Sequence, residues 1–228
     1  MPDALFELAD APAHHAMRRD AQFSADRRYR YVLTRAWFGH VRFDRDFVLW
    51  VMLNPSDADE NHEDPTVRRC IGFTRALGWS ALAVVNEHAF CATRPADLRR
   101  AADPVGDGND GVIRDWSARA GLTIVAWGAH ELARARAADV APLLRDPHCL
   151  GVTADGHPRH PLYLRGEARP VRWSLPPTWG CRACCDTGWT QQIVGLPNGQ
   201  TCTSCTEGEQ RRQEARDRLA ARAEAPGG

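Results

Sequence analysis

The chain has 228 residues, 43% hydrophobic and 25% charged, and its 29 basic side chains balance 29 acidic ones. Such proportions belong to one full-sized globular domain plus an accessory piece, and they exclude a collagen-like, coiled-coil or wholly disordered chain. Every basic residue is arginine, which excludes chemistry built on a lysine Schiff base or a P-loop lysine, and the even spread of charge leaves no polybasic tail.

Residues 1–22 show no sustained hydrophobic period and read as a flexible N-terminal segment. No apolar run is long enough to span a bilayer and no basic start precedes an apolar stretch, so a cytoplasmic location is expected. In that compartment the eight cysteines are expected as thiols or metal ligands rather than as a disulfide framework.

An α/β domain is expected over residues 23–176. Residues 29–37 (YRYVLTRAW) carry the aromatic and β-branched types that favour a strand, with Gly39 interrupting before residues 40–43, a hairpin-like start. Residues 47–53 (FVLWVML) are apolar without alternation, as in a strand covered on both faces, and stop on Asn54-Pro55-Ser56. Asp64 can cap a helix that begins at Pro65, places Val67, Cys70, Ile71 and Thr74 on one face, and closes at Gly78. A second buried strand, 81–85, ends on Asn86. Val112, Ile113 and Trp116 mark an amphipathic helix closed by Gly121, and a third strand, 122–127, runs into Gly128-Ala129-His130. A fourth strand is expected over 149–153, followed by an Asp155-Gly156 turn and the segment HPRHPLYL. Trp50, Trp79 and Trp127 are expected in the core.

Alternating strands and helices imply a three-layer α/β/α sandwich with a mostly parallel central sheet. In open sheets of that kind ligands sit beyond the carboxyl ends of the strands. Those ends here carry Asn54, Asn86 and His130, a site hypothesis that needs no further information.

After Pro176-Pro177 the composition changes. Cys181 and Cys184 form one C-x2-C pair and Cys202 and Cys205 another, a spacing that lets four thiolates surround a structural Zn²⁺ on two knuckles. A zinc ribbon is therefore expected over residues 177–207, with Cys185 as a spare thiol. A polar helix and tail follow over 208–228, where Glu214 and Arg218 are spaced for an i,i+4 pair. Four thiolates leave no open coordination position, so the ribbon predicts a contact module and not a catalyst.

The motifs VMLNPSDAD (51–59), DPTVRRC (64–70), VVN (84–86), DPVGDGND (103–110), AWGAH (126–130) and GHPRHPLYL (156–164) together resemble a bacterial and phage family of unknown function with an L-N-P-S-x-A-D signature. The resemblance covers roughly residues 25–173 and leaves the zinc segment outside. The sequence departs from the family pattern after Asn86, where Glu87, His88 and Cys91 replace a leucine, a phenylalanine and an arginine.

The order of motifs is more loosely similar to the uracil-DNA glycosylase superfamily, with Asn54-Pro55, Asn86, Trp127-Gly128 and His160-Pro161-Leu162 in corresponding sequence. Met52 stands where that superfamily has a glycine, and RHPLY replaces HPSPL. The resemblance implies a uracil-DNA glycosylase-like fold and base-processing chemistry on DNA or a nucleotide. Asn54 would orient a water, His160 would donate to the departing base, and Asn86 would pair with the base edge. Pro55, Ser56, Gly128, His130, Arg68, Arg159 and Leu162 would complete the substrate site, with Arg68 or Arg159 on a flanking phosphate. Each polar residue also has a structural role to fill, Asn54 as an Asx turn, Asn86 as a strand-end bond and His160 as a backbone partner.

Two other readings stand beside that one. A non-catalytic DNA- or nucleotide-binding module would recognise a base with the α/β domain and use the ribbon as a second contact. A metal-dependent hydrolase would draw on Asp57, Asp59, His62, Asp64, His88, His157 and His160. G-x-S-x-G, Walker A and G-x-G-x-x-G motifs are absent from the sequence, which removes acyl hydrolases, P-loop NTPases and dinucleotide enzymes as first choices.

Overall fold

The computed structural model describes residues 17–37, 43–56 and 58–176. In chain order these form β1 (Arg18–Phe23), β2 (Arg30–Ala36), β3 (Val48–Met52), α1 (Pro65–Ala76), β4 (Ala81–Asn86), α2 (Pro95–Arg100), α3 (Asn109–Arg119), β5 (Leu122–Val125), α4 (Glu131–Val140), β6 (Pro147–Cys149) and β7 (Val171–Arg172). Short 3-10 turns lie at Ala141–Leu143 and Pro161–Tyr163.

Among the described residues the strands make one sheet in the order β1-β2-β4-β3-β5-β6-β7. β3 is parallel to both neighbours, β4 and β5, and β5 is parallel to β6. β1–β2, β2–β4 and β6–β7 are antiparallel. The sheet is thus mixed and not mostly parallel, because the connection from β1 to β2 is too short for a crossover and can only reverse the chain.

β3 is buried along its whole length and its side chains alternate between two cores. Leu49 and Val51 pack with Ile113 and Trp116 of α3 and with Ala133, Ala137 and Val140 of α4. Val48, Trp50 and Met52 pack with Val67, Cys70, Ile71 and Phe73 of α1. Helices therefore cover both faces, and the unbroken apolar run of the sequence is the signature of a strand with no wet side. Trp50 and Trp127 are buried as expected, and Trp79 packs half-buried against the α1 core.

α1 forms as its spacing predicts. Asp64 accepts from the Val67 backbone N–H at 2.7 Å, Pro65 occupies the first turn, and Gly78, at φ +82°, follows the last turn. The second Asp64 oxygen accepts from Ser56 Oγ, which ties the loop after β3 to the start of this helix.

Several expectations are corrected. β1, Arg18–Phe23, takes up the last residues of the expected flexible segment and pairs along β2 with a bulge at Gln22/Phe23. Its exposed, arginine-rich sequence has little strand propensity, and the ladder to β2 imposes the conformation. β2 pairs with β1 on one side and with β4 on the other, and residues 40–42 of the expected hairpin-like start lie outside the described residues. The fourth parallel strand lies at Pro147–Cys149, ahead of the expected 149–153. Val152 instead bridges back to Pro158 around Gly156, whose φ of +80° makes the expected Asp155-Gly156 turn. The region 177–207 with its four candidate zinc ligands, the 208–228 helix and Asp57 lie outside the described residues.

Candidate functional site

From β3 the chain crosses by way of α1 to β4 on one side, and from β5 it crosses by way of α4 to β6 on the other, so the connections diverge at the β3/β5 boundary. That is the switch point beyond which open α/β sheets bind ligands. The ladders extend past the strands there. Glu87 N–H donates to Met52 O at 2.9 Å, His88 N–H to Leu53 O at 3.0 Å, and Ala126 N–H to Val51 O at 2.9 Å.

The loop carrying His160 folds over the same edge. Gly128 N–H donates to Pro158 O at 3.0 Å. Gly128 sits at φ +85°, a left-handed conformation that calls for glycine, and a Cβ there would lie in van der Waals contact with His160 Cβ at 3.4 Å. From α1, Arg69 reaches the turn at Pro161–Tyr163, donating to Pro161 O at 3.4 Å and to Leu164 O.

The structure thus gathers segments 54–56, 86–88, 128–130 and 158–162 at one edge, and each named residue has a definable position. Asn54 is half-buried, and its amide nitrogen donates to Pro55 O at 2.8 Å and to Ala92 O at 2.7 Å. Both amide protons clamp loops, which leaves the carbonyl oxygen as the atom available to a water. Pro55 is buried and accepts from Ala92 N–H at 3.0 Å.

Asn86 differs. It is 1% exposed, and neither its amide nitrogen nor its carbonyl oxygen has a hydrogen-bond partner among the described residues. Its register opposite Met52 sets it on the α1 side of the sheet. A buried amide so placed costs stability on the order of 1–3 kcal/mol for each unpaired group.

His160 caps the Pro161–Tyr163 turn, its Nδ1 accepting from Leu162 N–H at 3.4 Å. With Nδ1 as acceptor, the neutral ring carries its proton on Nε2, which becomes a donor. Burial lowers the His160 pKa and the Asp64 carboxylate raises it, with a net downward shift that favours the neutral ring. His130 plays the same capping role for α4, its Nδ1 accepting from Leu132 N–H at 3.2 Å. Arg68, Arg159 and Leu162 are exposed around the edge.

Four further residues prove central to this edge, of which only His88 belongs to the acidic and histidine set of the metal-hydrolase reading. Glu87 is fully buried, with both carboxylate oxygens unpartnered among the described residues. Burial drives its pKa well up, against the pull of Arg136, a shift that favours the neutral carboxyl. His88 is 5% exposed, and burial, reinforced by Arg136, pushes its pKa down to about 4. Asn109, at the start of α3, donates to Asn86 O at 2.9 Å and to Glu87 O at 3.4 Å. Arg136 of α4 donates to Glu87 O at 3.4 Å and pairs with Asp110 and Asp139. The sequence marks Glu87 and His88 only as departures from the family pattern, and Asn109 as part of the DPVGDGND motif that ends on Asn109-Asp110. Cys91, the third departure from the family pattern, is a half-buried thiol whose pKa burial raises.

The described members of the acidic and histidine set do not gather. Asp59 accepts from Asn61 and His62 N–H in a local turn, Asp64 caps α1, and His62 is exposed. Among the described residues no three such side chains are grouped to hold a metal ion. A cavity of about 460 Å³ opens at the other end of the sheet, lined by Arg18, Asp20, Thr34, Phe43, Trp116 and Arg119 among others, away from the candidate edge. No helix among the described residues is long and apolar enough to cross a membrane.

Comparison with curated proteins and with solved structures finds no match to this chain. Comparison with protein families finds one over residues 30–162, a span that contains the L-N-P-S signature, the Asn86 strand end, Gly128 and His160. On that match the chain belongs to the family described as Protein of unknown function (DUF1643).

Proposed function

We propose that the protein processes nucleic-acid or nucleotide bases at the carboxyl edge of β3, β4 and β5, by hydrolysis of an N-glycosidic bond. The observation that carries this reading is Asn86, an amide at a strand end, buried, with donor and acceptor both unpartnered among the described residues. One amide presents an adjacent donor and acceptor, the pattern needed to read a base edge, and a base would satisfy both groups at once.

The remaining roles follow from atoms left available. Nε2–H of neutral His160 donates to a carbonyl of the departing base and stabilises the negative charge that develops as the C1′–N bond breaks. The Asn54 carbonyl oxygen accepts from a water, which adds its oxygen to C1′ of the sugar while a proton goes to the base. Because Asn86 is covered, a base reaches it only when the loops over the edge part.

The commitment of the Asn54 amide protons to loop carbonyls favours a second reading, a module that recognises a base without cleaving it. In either case the two C-x2-C pairs, Cys181 with Cys184 and Cys202 with Cys205, form a donor set suited to a structural Zn²⁺, which would organise a contact module.

Mass spectrometry of a mixed panel of modified oligonucleotides and nucleosides separates the readings. Hydrolysis predicts free base and an abasic product, with Asn86→Ala and His160→Ala each lowering the rate about 100-fold or more. Binding that depends on Asn86, with every substrate mass unchanged, selects the non-catalytic module. Neither binding nor mass change on any member of the panel removes both.

A further inference from the structure

Beside the edge, the turn at Pro161–Tyr163 presents two large apolar side chains to solvent. Leu162 is 45% exposed and Tyr163 79% exposed, the latter the most exposed large hydrophobic residue among the described ones. An aromatic ring left this open has no packing role to explain it.

Its surroundings carry one sign of charge. Residues 157–172 contain four arginines, Arg159, Arg165, Arg169 and Arg172, and a single acid, Glu167. Arg172 pairs with Asp146, but Arg159, Arg165, Arg169 and the exposed Arg68 make no ion pair with a described carboxylate. Three of them donate to backbone carbonyls, Arg159 to Val152 O at 3.1 Å, Arg169 to Glu167 O at 3.3 Å and Arg68 to Glu63 O at 2.5 Å. These contacts orient the guanidinium groups and leave their charge uncompensated.

The platform is also fixed. Arg69 clamps the carbonyls on either side of Leu162 and Tyr163 and stacks on Phe73 at 4.6 Å, while the Tyr163 ring lies 5.8 Å from that of His160. An exposed ring on an anchored turn among unpaired arginines, next to a candidate base site, has the makings of a stacking surface for a polyanion.

We propose that Tyr163, with Leu162 and the flanking Arg68, Arg159, Arg165 and Arg169, docks a single strand of nucleic acid, an unpaired base stacking on the Tyr163 ring and the arginines meeting successive phosphates. The proposal deepens the reading above by making the substrate a polymer rather than a free nucleotide, and it rests on that reading only for what happens next at Asn86.

The test is fluorescence anisotropy of the full chain with a labelled single-stranded oligonucleotide of about 20 nucleotides. Tyr163→Ala should weaken binding about 5- to 150-fold and Tyr163→Phe should restore it, because stacking needs the ring and not the hydroxyl. Arg159→Ala and Arg165→Ala should each reduce the slope of log affinity against log salt by about 0.7. A strand of the same charge lacking bases should bind as weakly to the wild type as the normal strand binds to Tyr163→Ala. Equal affinity for the abasic strand, for a blunt duplex, or for Tyr163→Ala overturns the proposal. Asn86→Ala separates it from the function proposed above, since that variant should keep strand binding and lose base chemistry. Base release from free nucleosides without strand binding defeats the docking surface alone, and Tyr163-dependent binding without release from any substrate defeats the hydrolase alone.

Discussion

Glu87 and His88 are neighbours in sequence that burial drives in opposite electrostatic directions, and the difference is measurable. The unfolded Glu87 side chain ionises near its ordinary value of 4.5, whereas the native one stays neutral to much higher pH. Its contribution is therefore favourable at low pH and is lost as pH rises above the unfolded value. His88 runs the other way. The native ring protonates only near pH 4 and the unfolded ring near 6.5, so its contribution is present above pH 6.5 and is lost as pH falls toward 4. The His88 loss is on the order of 3 kcal/mol. Urea unfolding across pH 4 to 8 should show Glu87→Gln more stable than the wild type at pH 8 and level with it at pH 4. His88→Phe should remove most of the decline between pH 6.5 and 4. A Glu87→Gln variant less stable than wild type at pH 8 would show that the carboxylate is charged and paired in solution. Neither burial was legible in the sequence, because an isolated Glu-His pair at a strand end reads as the beginning of a polar loop.

At the scale of elements, the edge is held by termini. Asp64 caps α1 with one oxygen and receives Ser56 with the other, so Asp64→Ala should cost about 1 kcal/mol for the cap and something more for the released loop. Ser56→Ala should cost less, and chemical denaturation of the two variants gives the comparison. Gly128→Ala puts a side chain into left-handed backbone, a penalty of about 1–2 kcal/mol borne where Gly128 N–H holds the His160 loop. It should thus lower both melting temperature and any base-dependent activity, whereas Gly166→Ala, with open space around it, should leave activity unchanged. The cap and proline of α1 were readable in advance because both act within four residues of chain. β1 was not, since its conformation comes from hydrogen bonds to β2 and not from its own side chains.

For the whole molecule, the near-neutral balance of charge hides a local asymmetry, the unpaired arginines of the 157–172 stretch and α1. The full chain should also carry about one equivalent of Zn²⁺ by elemental analysis, lost in Cys181→Ser and Cys202→Ser, while the melting transition of the α/β domain persists. Absence of zinc from freshly purified, reduced protein would remove the ribbon from the account. Strands β2 to β5, the first long helix and the identity of the polar strand ends were set by local pattern, because buried strands and capped helices are written in consecutive residues. Which of those polar ends would meet was decided by the tertiary structure. Asn54 turned its amide nitrogen to loop carbonyls, and Asn86 kept both polar atoms unpartnered among the described residues. Asn109 and Arg136, distant in the chain, came to rest on the backbone of Asn86 and Glu87. Hydrogen-bond accounting of that kind depends on which groups lie within 3.5 Å in space, a quantity that spacing along the chain does not contain.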